Sequence, residues 1–281
     1  MPFPPAIARA FSSVLGGPLV RDRAERLKFT DAGHGFDRFG MHPDFVAMGD
    51  TVGKFLYERY FRVQSHGAEN IPRTGPAILA ANHSGTLPMD GAMLWVDVLR
   101  HTDPPRAARP VADYFVSTLP VVSTLFARCG VVGGSRGNAR ALLEAGELLM
   151  IFPEGVPGIG KPFSERYKLQ EWRQGHCELA IRHGAPVVPV GIVGAEEQMP
   201  QLARIPVPGS SALPYLPIPA TPLPLPVRYH IHYGEPVRLD RDYSPSDADD
   251  PEVVLRAAAT VKERVQKLLD DGRRARRGVF R

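Results

Sequence analysis

The 281-residue chain is 43% hydrophobic and 23% charged, which excludes disordered and fibrous classes. It suits one large globular domain, or a domain with a helical appendage. The net charge of +4 is mild and its distribution says more than its sum: a basic, aromatic-bearing C-terminal tail could bind anionic lipid or nucleic acid, although no nucleic-acid partner is expected.

The opening MPFPPAIARAFSSVLGG has no cationic segment ahead of its apolar part, which argues against a secretory signal. From Pro43 onward, Phe45, Met48, Val52, Phe55, Leu56 and Tyr60 recur at helical spacing and predict a face that packs on the core. Residues 1–60 are read as a helical N-terminal segment, with membrane docking as its other use. Short apolar runs predict strands at Phe61–Ser65, Ala77–Ala81, Arg109–Ala112, Gly130–Val132, Leu148–Phe152, Val187–Val193 and Val227–Tyr233. Helical patterns fall at Gly91–Arg100, Thr118–Cys129, Asn138–Ala145, Gly175–His183 and Pro251–Leu269. This alternation implies an α/β fold over residues 61–271, with a mixed, mostly parallel central sheet flanked by helices.

Ile205 to Val227 is the longest uncharged run, but eight prolines prevent a spanning helix. Its leucines, with Tyr215 and Ile218, make either a loop packed over the core or an apolar lip that meets membrane or acyl chain. Membrane contact is expected to be peripheral. Residues 272–281 form a basic tail containing Arg273, Arg274, Arg276, Arg277 and Arg281, read as a solvated, frayed end. The Glu196-Glu197 pair reads as a solvated loop or helix start. Cys129 and Cys177 cannot build a disulfide framework, and their apolar neighbours predict buried thiols in a reducing compartment.

The chemistry concentrates after the strand Ala77–Ala81, in Asn82-His83-Ser84-Gly85-Thr86-Leu87-Pro88-Met89-Asp90-Gly91. Ligands bind at the carboxyl ends of strands in such sheets. Pro88 suits the first turn of a helix and brings Asp90 to its start, within reach of His83. A carboxylate beside an imidazole fixes the tautomer and stabilises the imidazolium formed on proton transfer.

The segment ILAANHSGTLPMDG resembles the first signature block of the glycerolipid acyltransferases, which include the lysophosphatidic acid acyltransferases. Three further blocks follow in order: Gly130-Val131-Val132-Gly133-Gly134-Ser135-Arg136, Phe152-Pro153-Glu154-Gly155 and Ala185-Pro186-Val187-Val188-Pro189-Val190. The resemblance spans residues 61–235. Six residues separate His83 from Asp90, where the usual block has four, and this resembles a monoacylglycerol-acyltransferase-like branch. The third block usually continues Thr-Arg; here Val156-Pro157 stand instead, and Lys161, Arg166 and Lys168 are the cations available to replace the arginine.

The resemblance implies a fatty acyl transfer from acyl-CoA or acyl carrier protein to a glycerolipid hydroxyl, with His83 as general base and Asp90 orienting it. Arg136 would hold a phosphate or similar anion. Phe152, Pro153, Glu154 and Gly155 would border the acceptor. Asn82, Ser84 and Gly85 would flank the base, with amides near Gly85 meeting the oxyanion. The two thioester donors are substrates, and no cofactor is implied. No metal is expected from histidines so scattered in sequence. The resemblance places the protein at the cytoplasmic face of the cell membrane.

Two rival readings remain. Gly133-Gly134-Ser135-Arg136-Gly137 fits the Gly-x-Ser-x-Gly nucleophile elbow, with His176, His183, His230 and His232 as candidate partners. Alternatively the chain is a non-catalytic lipid binder.

Overall fold

A computed structural model describes residues 4–85, 87–113, 116, 118–207 and 215–281. Helices α1 (Pro5–Leu15), α2 (Pro18–Arg26) and α3 (Pro43–Phe55) open the chain, each with a proline in its first turn, where a missing N–H costs nothing. A π turn (Leu56–Tyr60) leads to β1 (Gln64–His66), then β2 (Ala77–Ala81), α4 (Met89–His101) and β3 (Arg109–Ala112). Next come α5 (Val122–Arg128), β4 (Val132–Gly133), α6 (Arg136–Glu144), β5 (Leu148–Ile151) and the single-turn α7 (Val156–Ile159). They are followed by α8 (Gly175–His183), β6 (Val187–Val193), α9 (Ala195–Gln198) and a two-stranded ribbon of β7 (Gln201–Pro206) and β8 (Tyr215–Pro219). The chain ends with β9 (His230–Tyr233), α10 (Leu239–Asp242) and the long α11 (Pro251–Ala275), whose Asp250 cap accepts the Glu252 amide at 2.8 Å.

The main sheet has the order β1-β9-β6-β2-β5-β3-β4. The strands β6 to β4 run parallel, whereas β9 is antiparallel to β6 and carries β1 parallel to itself. Every residue of β2 is buried. Leu79 and Ala81 enter the core under α3 and α4, whereas Ile78 and Ala80 enter the one under α6, α8 and α11, as the pleat requires. Each such Leu or Ile contributes about 1.5–3 kcal/mol. The expected mixed, mostly parallel sheet between helices, with a helical N-terminal segment, is the architecture found.

Some local expectations need correction. On α3, Val52 and Phe55 are 55% and 62% exposed. The inward seam is Val46, Asp50 and Gly53, and it carries an acid because Arg23 and Arg100 pair with Asp50, the latter at 3.1 Å. Strand β1 begins at Gln64 rather than Phe61, and β9 at His230 rather than Val227. The proline-rich run is partly a hairpin: Ile205 stands opposite Leu216, and prolines are tolerated because both strands are edges. Ile205, Leu216, Ile218 and Leu223 are exposed, which favours the lip over the packed loop; Leu213 lies outside the described residues.

The basic tail is not frayed. Helix α11 continues to Ala275, Arg276 Nη2 lies 2.5 Å from Glu197 Oε1, and Val279 O accepts the Arg228 amide at 2.8 Å. Among the described residues no helix is long and apolar enough to cross a membrane.

Candidate active site

His83 follows β2 directly, and the turn after it brings Asp90 into the first turn of α4, fully buried. Asp90 Oδ2 lies 2.6 Å from His83 Nδ1 and accepts the Ser84 amide at 2.9 Å; Oδ1 accepts the Gly91 amide at 2.7 Å. An ionised carboxylate only accepts, so it holds the proton on Nδ1 and leaves Nε2 with a free lone pair. Burial is the largest influence on the imidazole and pushes its pKa down. The charge and hydrogen bond of Asp90, with Glu154 behind them, together outweigh it and hold the pKa above the usual histidine value.

Strand β5 is the hydrogen-bonded neighbour of β2, so the segment leaving it arrives beside His83. Phe152 stacks on the imidazole with ring centroids 4.4 Å apart. Pro153 and Glu154 are buried, and Glu154 accepts the His83 backbone amide at 3.0 Å and the Gln170 amide at 2.8 Å. Val156-Pro157 begin α7, which packs against His83: a Cβ on Gly158 would lie 3.1 Å from both His83 Cβ and its carbonyl oxygen.

On the other side of β2, Asn82 meets Ile192 of β6 with both ends of its amide, at 3.1 and 2.7 Å. It extends the sheet ladder between β2 and β6. Beyond β6, α9 turns Glu196 and Glu197 inward, so these acids are buried and not solvated as expected. Lys161 Nζ bridges Glu154 at 3.2 Å and Glu196 at 3.1 Å. The Tyr167 amide donates to Glu196 at 2.7 Å, and the Tyr167 hydroxyl donates to Glu197 at 2.9 Å. Burial pushes Glu196 up to about 7 against the Lys161 charge. A continuous polar chain therefore runs from His83 through Glu154, Lys161, Glu196, Tyr167 and Glu197 to Arg276.

Lys161 is thus committed to two carboxylates and is not a free cation for phosphate. Arg166 donates to the Phe163 carbonyl at 3.2 Å, and Lys168 is exposed; among the described residues neither side chain joins the hydrogen-bonded cluster around His83. The Arg136 side chain is 82% exposed and pairs with Glu178 at 3.2 Å, also apart from that cluster. Ser135 has an ordinary extended backbone and caps α6, its Oγ accepting the Asn138 amide at 3.1 Å. Among the described residues no histidine is hydrogen-bonded to it. The thiols of Cys129 and Cys177 are pushed up to about 12 by burial.

Two side chains join the site without any warning in the sequence. Gly85, at φ +84, faces Gln198: a Cβ there would sit 2.9 Å from Gln198 Nε2. Neither end of this buried amide, nor Ser84 Oγ, has a hydrogen-bond partner among the described residues. Arg173 fills the space beside Gly155, its guanidinium carbon 3.1 Å from where a Cβ would stand. The structure also gathers three histidines far apart in sequence, His66, His230 and His232, at the β1–β9 edge.

The sequence profile of the Acyltransferase family matches residues 62–193. The uncharacterized protein Rv0502 of Mycobacterium tuberculosis (strain ATCC 25618 / H37Rv) is 39% identical over 255 residues, 87% of this chain and 71% of that protein. The chain belongs to the glycerolipid acyltransferase family. The DGAT1/2-independent enzyme synthesizing storage lipids of Homo sapiens is 33% identical over 127 residues, 44% of this chain and 38% of that one. The crystal structure of the 1-acyl-sn-glycerophosphate (LPA) acyltransferase PlsC from Thermotoga maritima matches with a TM-score of 0.56 over 97% of this chain and 94% of that one. At 20% identity this likeness speaks for the fold alone. As a glycerolipid acyltransferase, the chain takes a lipid acceptor and an acyl donor.

Proposed function

We propose that this acyltransferase moves a fatty acyl group from acyl-CoA or acyl carrier protein to the hydroxyl of a lysophospholipid or related glycerolipid, with His83 as general base. The observation that carries this reading is the 2.6 Å contact between His83 Nδ1 and the buried Asp90, which leaves Nε2 free. Nε2 takes the proton of the acceptor hydroxyl as its oxygen attacks the thioester carbonyl. The tetrahedral intermediate collapses, the C–S bond breaks, and the departing thiolate receives the proton from the imidazolium. Asp90 holds the ring and offsets its transient charge.

The developing oxyanion needs donors already in place. The Gln198 amide and Ser84 hydroxyl, unpartnered beside Gly85, are the side chains suited to supply them. Arg173 at Gly155 takes the part of the missing third-block arginine for an acceptor phosphate. The reaction needs no cofactor beyond the thioester substrate. Exposed Ile7, Val14, Leu15 and Leu19 of the N-terminal helices, and separately Leu216 and Leu223, are apolar side chains available for peripheral docking at the cytoplasmic side of the cell membrane.

The test is transfer of a labelled acyl group from acyl-CoA to lysophosphatidic acid, other lysophospholipids and monoacylglycerol. Ester product that disappears in His83→Ala and persists in Ser135→Ala supports the proposal. The reverse pattern assigns a serine hydrolase, and no product from the wild-type chain with any acceptor or donor leaves a lipid-binding protein.

A further inference from the structure

Gln198 ends the single-turn helix α9, and no side chain holds its amide. The residue is fully buried, and neither its oxygen nor its nitrogen has a hydrogen-bond partner among the described residues. An unpaired buried amide destabilises a fold, so each one calls for an explanation. Its Nε2 faces Gly85, where a Cβ would stand only 2.9 Å away. The direction of this amide is therefore set by the α9 main chain and by packing.

A helix of one turn has no stability of its own. The Glu197 amide reaches the Gly194 carbonyl at 3.0 Å, and other attachments come from distant parts of the chain. The Gln198 carbonyl accepts the Leu225 amide at 2.7 Å. Glu196 takes Lys161 at 3.1 Å and the Tyr167 amide at 2.7 Å. Glu197, next to Gln198, is held by both terminal nitrogens of Arg276, with Nη2 at 2.5 Å from Oε1, and by the Tyr167 hydroxyl at 2.9 Å. That hydroxyl accepts the Gly194 amide at 2.8 Å, which closes a ring of bonds around the turn.

Arg276 is itself fixed. Its amide caps α11 on the Gly272 carbonyl at 3.1 Å, and its side chain is only 12% exposed. A two-point guanidinium–carboxylate pair sets direction as well as distance.

We propose that Arg276 is a positioning residue of the acyl-transfer site: its fork on Glu197 holds α9 so that Gln198 Nε2 meets the oxygen that becomes negative during transfer. When the acceptor oxygen adds to the thioester carbonyl, the carbonyl oxygen takes the π pair and Nε2–H donates to it. The pair returns as the C–S bond breaks. Arg276 touches no substrate. The donor role of Gln198 rests on the acyl transfer proposed above, and the clamp adds to it a residue six from the end of the sequence given. The unpaired amide is then a donor kept ready before substrate arrives, at the expense of stability.

The test combines the labelled-acyl assay, with kcat and KM separated, and thermal melts of the full chain. Gln198→Met removes the orphan amide, so the midpoint should rise while kcat falls about 10²–10³-fold and neither KM moves. The double change Glu197→Gln with Arg276→Met leaves no unpaired charge and should melt close to the wild type. Its kcat should nevertheless fall at least about tenfold, because the fork that aims α9 is gone. Arg276→Lys keeps the charge without the fork and should recover part of that loss. Arg277→Ala, at an exposed position, should behave as wild type. Full kcat in the double variant would overturn the clamp and leave the acyl-transfer reading standing. Full kcat in Gln198→Met would remove the donor and the clamp together. A wild-type chain that makes no ester product would strike the acyl-transfer reading itself, and this inference with it.

Discussion

Glu154 grips His83 by its backbone: Oε1 stands 3.0 Å from the His83 amide nitrogen, while Oε2 stands 3.2 Å from Lys161 Nζ. The histidine is thus held twice, through its ring by Asp90 on α4 and through its main chain by an acid from the neighbouring strand. A rotation of the loop after β2 has to break both attachments. This is the kind of support that fixes a reacting group to within a fraction of an ångström.

The paired ring sets a pH signature. Because the His83 pKa is held above 6.5, its protonated form stabilises the fold below that value, and the contribution fades as pH rises through the raised folded value. Base catalysis has the opposite dependence, since only the neutral ring accepts a proton. Transfer should therefore rise with pH along a limb centred above 6.5. Asp90→Asn removes the charge that raises the pKa, so the limb should move to lower pH and kcat should fall about 10²–10⁴-fold. A pH–rate profile of both proteins checks this, and an unmoved limb would contradict the assignment.

Lys161→Met should destabilise the protein by about 3–5 kcal/mol, because Glu154 and Glu196 would be left facing each other without a counter-charge in the interior. Urea unfolding at neutral pH measures the loss. The defect should shrink as pH falls and Glu196, already pushed up to about 7, takes a proton. A phosphate-binding lysine would instead leave stability intact and raise the KM for a phosphorylated acceptor.

Gly158→Ala places a methyl 2.9 Å from Glu154 Cβ and 3.1 Å from His83 Cβ and its carbonyl. Two of these neighbours belong to the His83 main chain and Cβ, which cannot swing aside as a flexible side-chain end can. The expected cost is about 1–3 kcal/mol in stability, with a larger proportional loss of transfer if the shift falls on the proposed base. Full activity in this variant would show that α7 moves freely.

Arg276→Ala should cost several times more stability than Arg277→Ala. The first leaves Glu197 buried without a cation, a loss of about 3–5 kcal/mol. The second removes an exposed charge and should change stability by less than about 0.5 kcal/mol. Parallel thermal melts decide the matter.

Ser135→Ala removes the cap of α6 and should cost about 0.5–2 kcal/mol without lowering the transfer rate. A large rate loss with stability intact would revive the hydrolase.

The sheet was legible because its central strands β2 and β6 are short, fully buried apolar runs, and β2 and β5 each end directly in a chemically distinctive loop. The pairing of His83 with Asp90 could be read for the same reason, since the intervening turn is short. What failed to show were charges whose partners are remote. Glu196 and Glu197 resemble a solvated pair until Lys161 and Arg276 are brought to them. Asp50 breaks the apolar face of α3 because Arg23 and Arg100 arrive from other helices. Of the cations chosen from sequence, Lys161 pairs with Glu154 and Glu196, Arg166 with the Phe163 carbonyl and Arg136 with Glu178, while Arg173, which pairs with Asp113 at 3.6 Å, lies beside Gly155, its backbone amide bonded to Pro153 O at 3.0 Å. His66, His230 and His232 meet through strand register, which spacing along a chain does not reveal.

The polar chain that ends at Arg276 has a consequence for biosynthesis. A nascent polypeptide that has emerged only as far as α9 already contains the histidine and its acid partner, yet Glu197 then sits inside the fold with no counter-ion. Glu197 gains its cation only when residue 276 clears the ribosome. Partly synthesised or prematurely terminated products, which bury that acid unpaired, should consequently be targets for proteolysis.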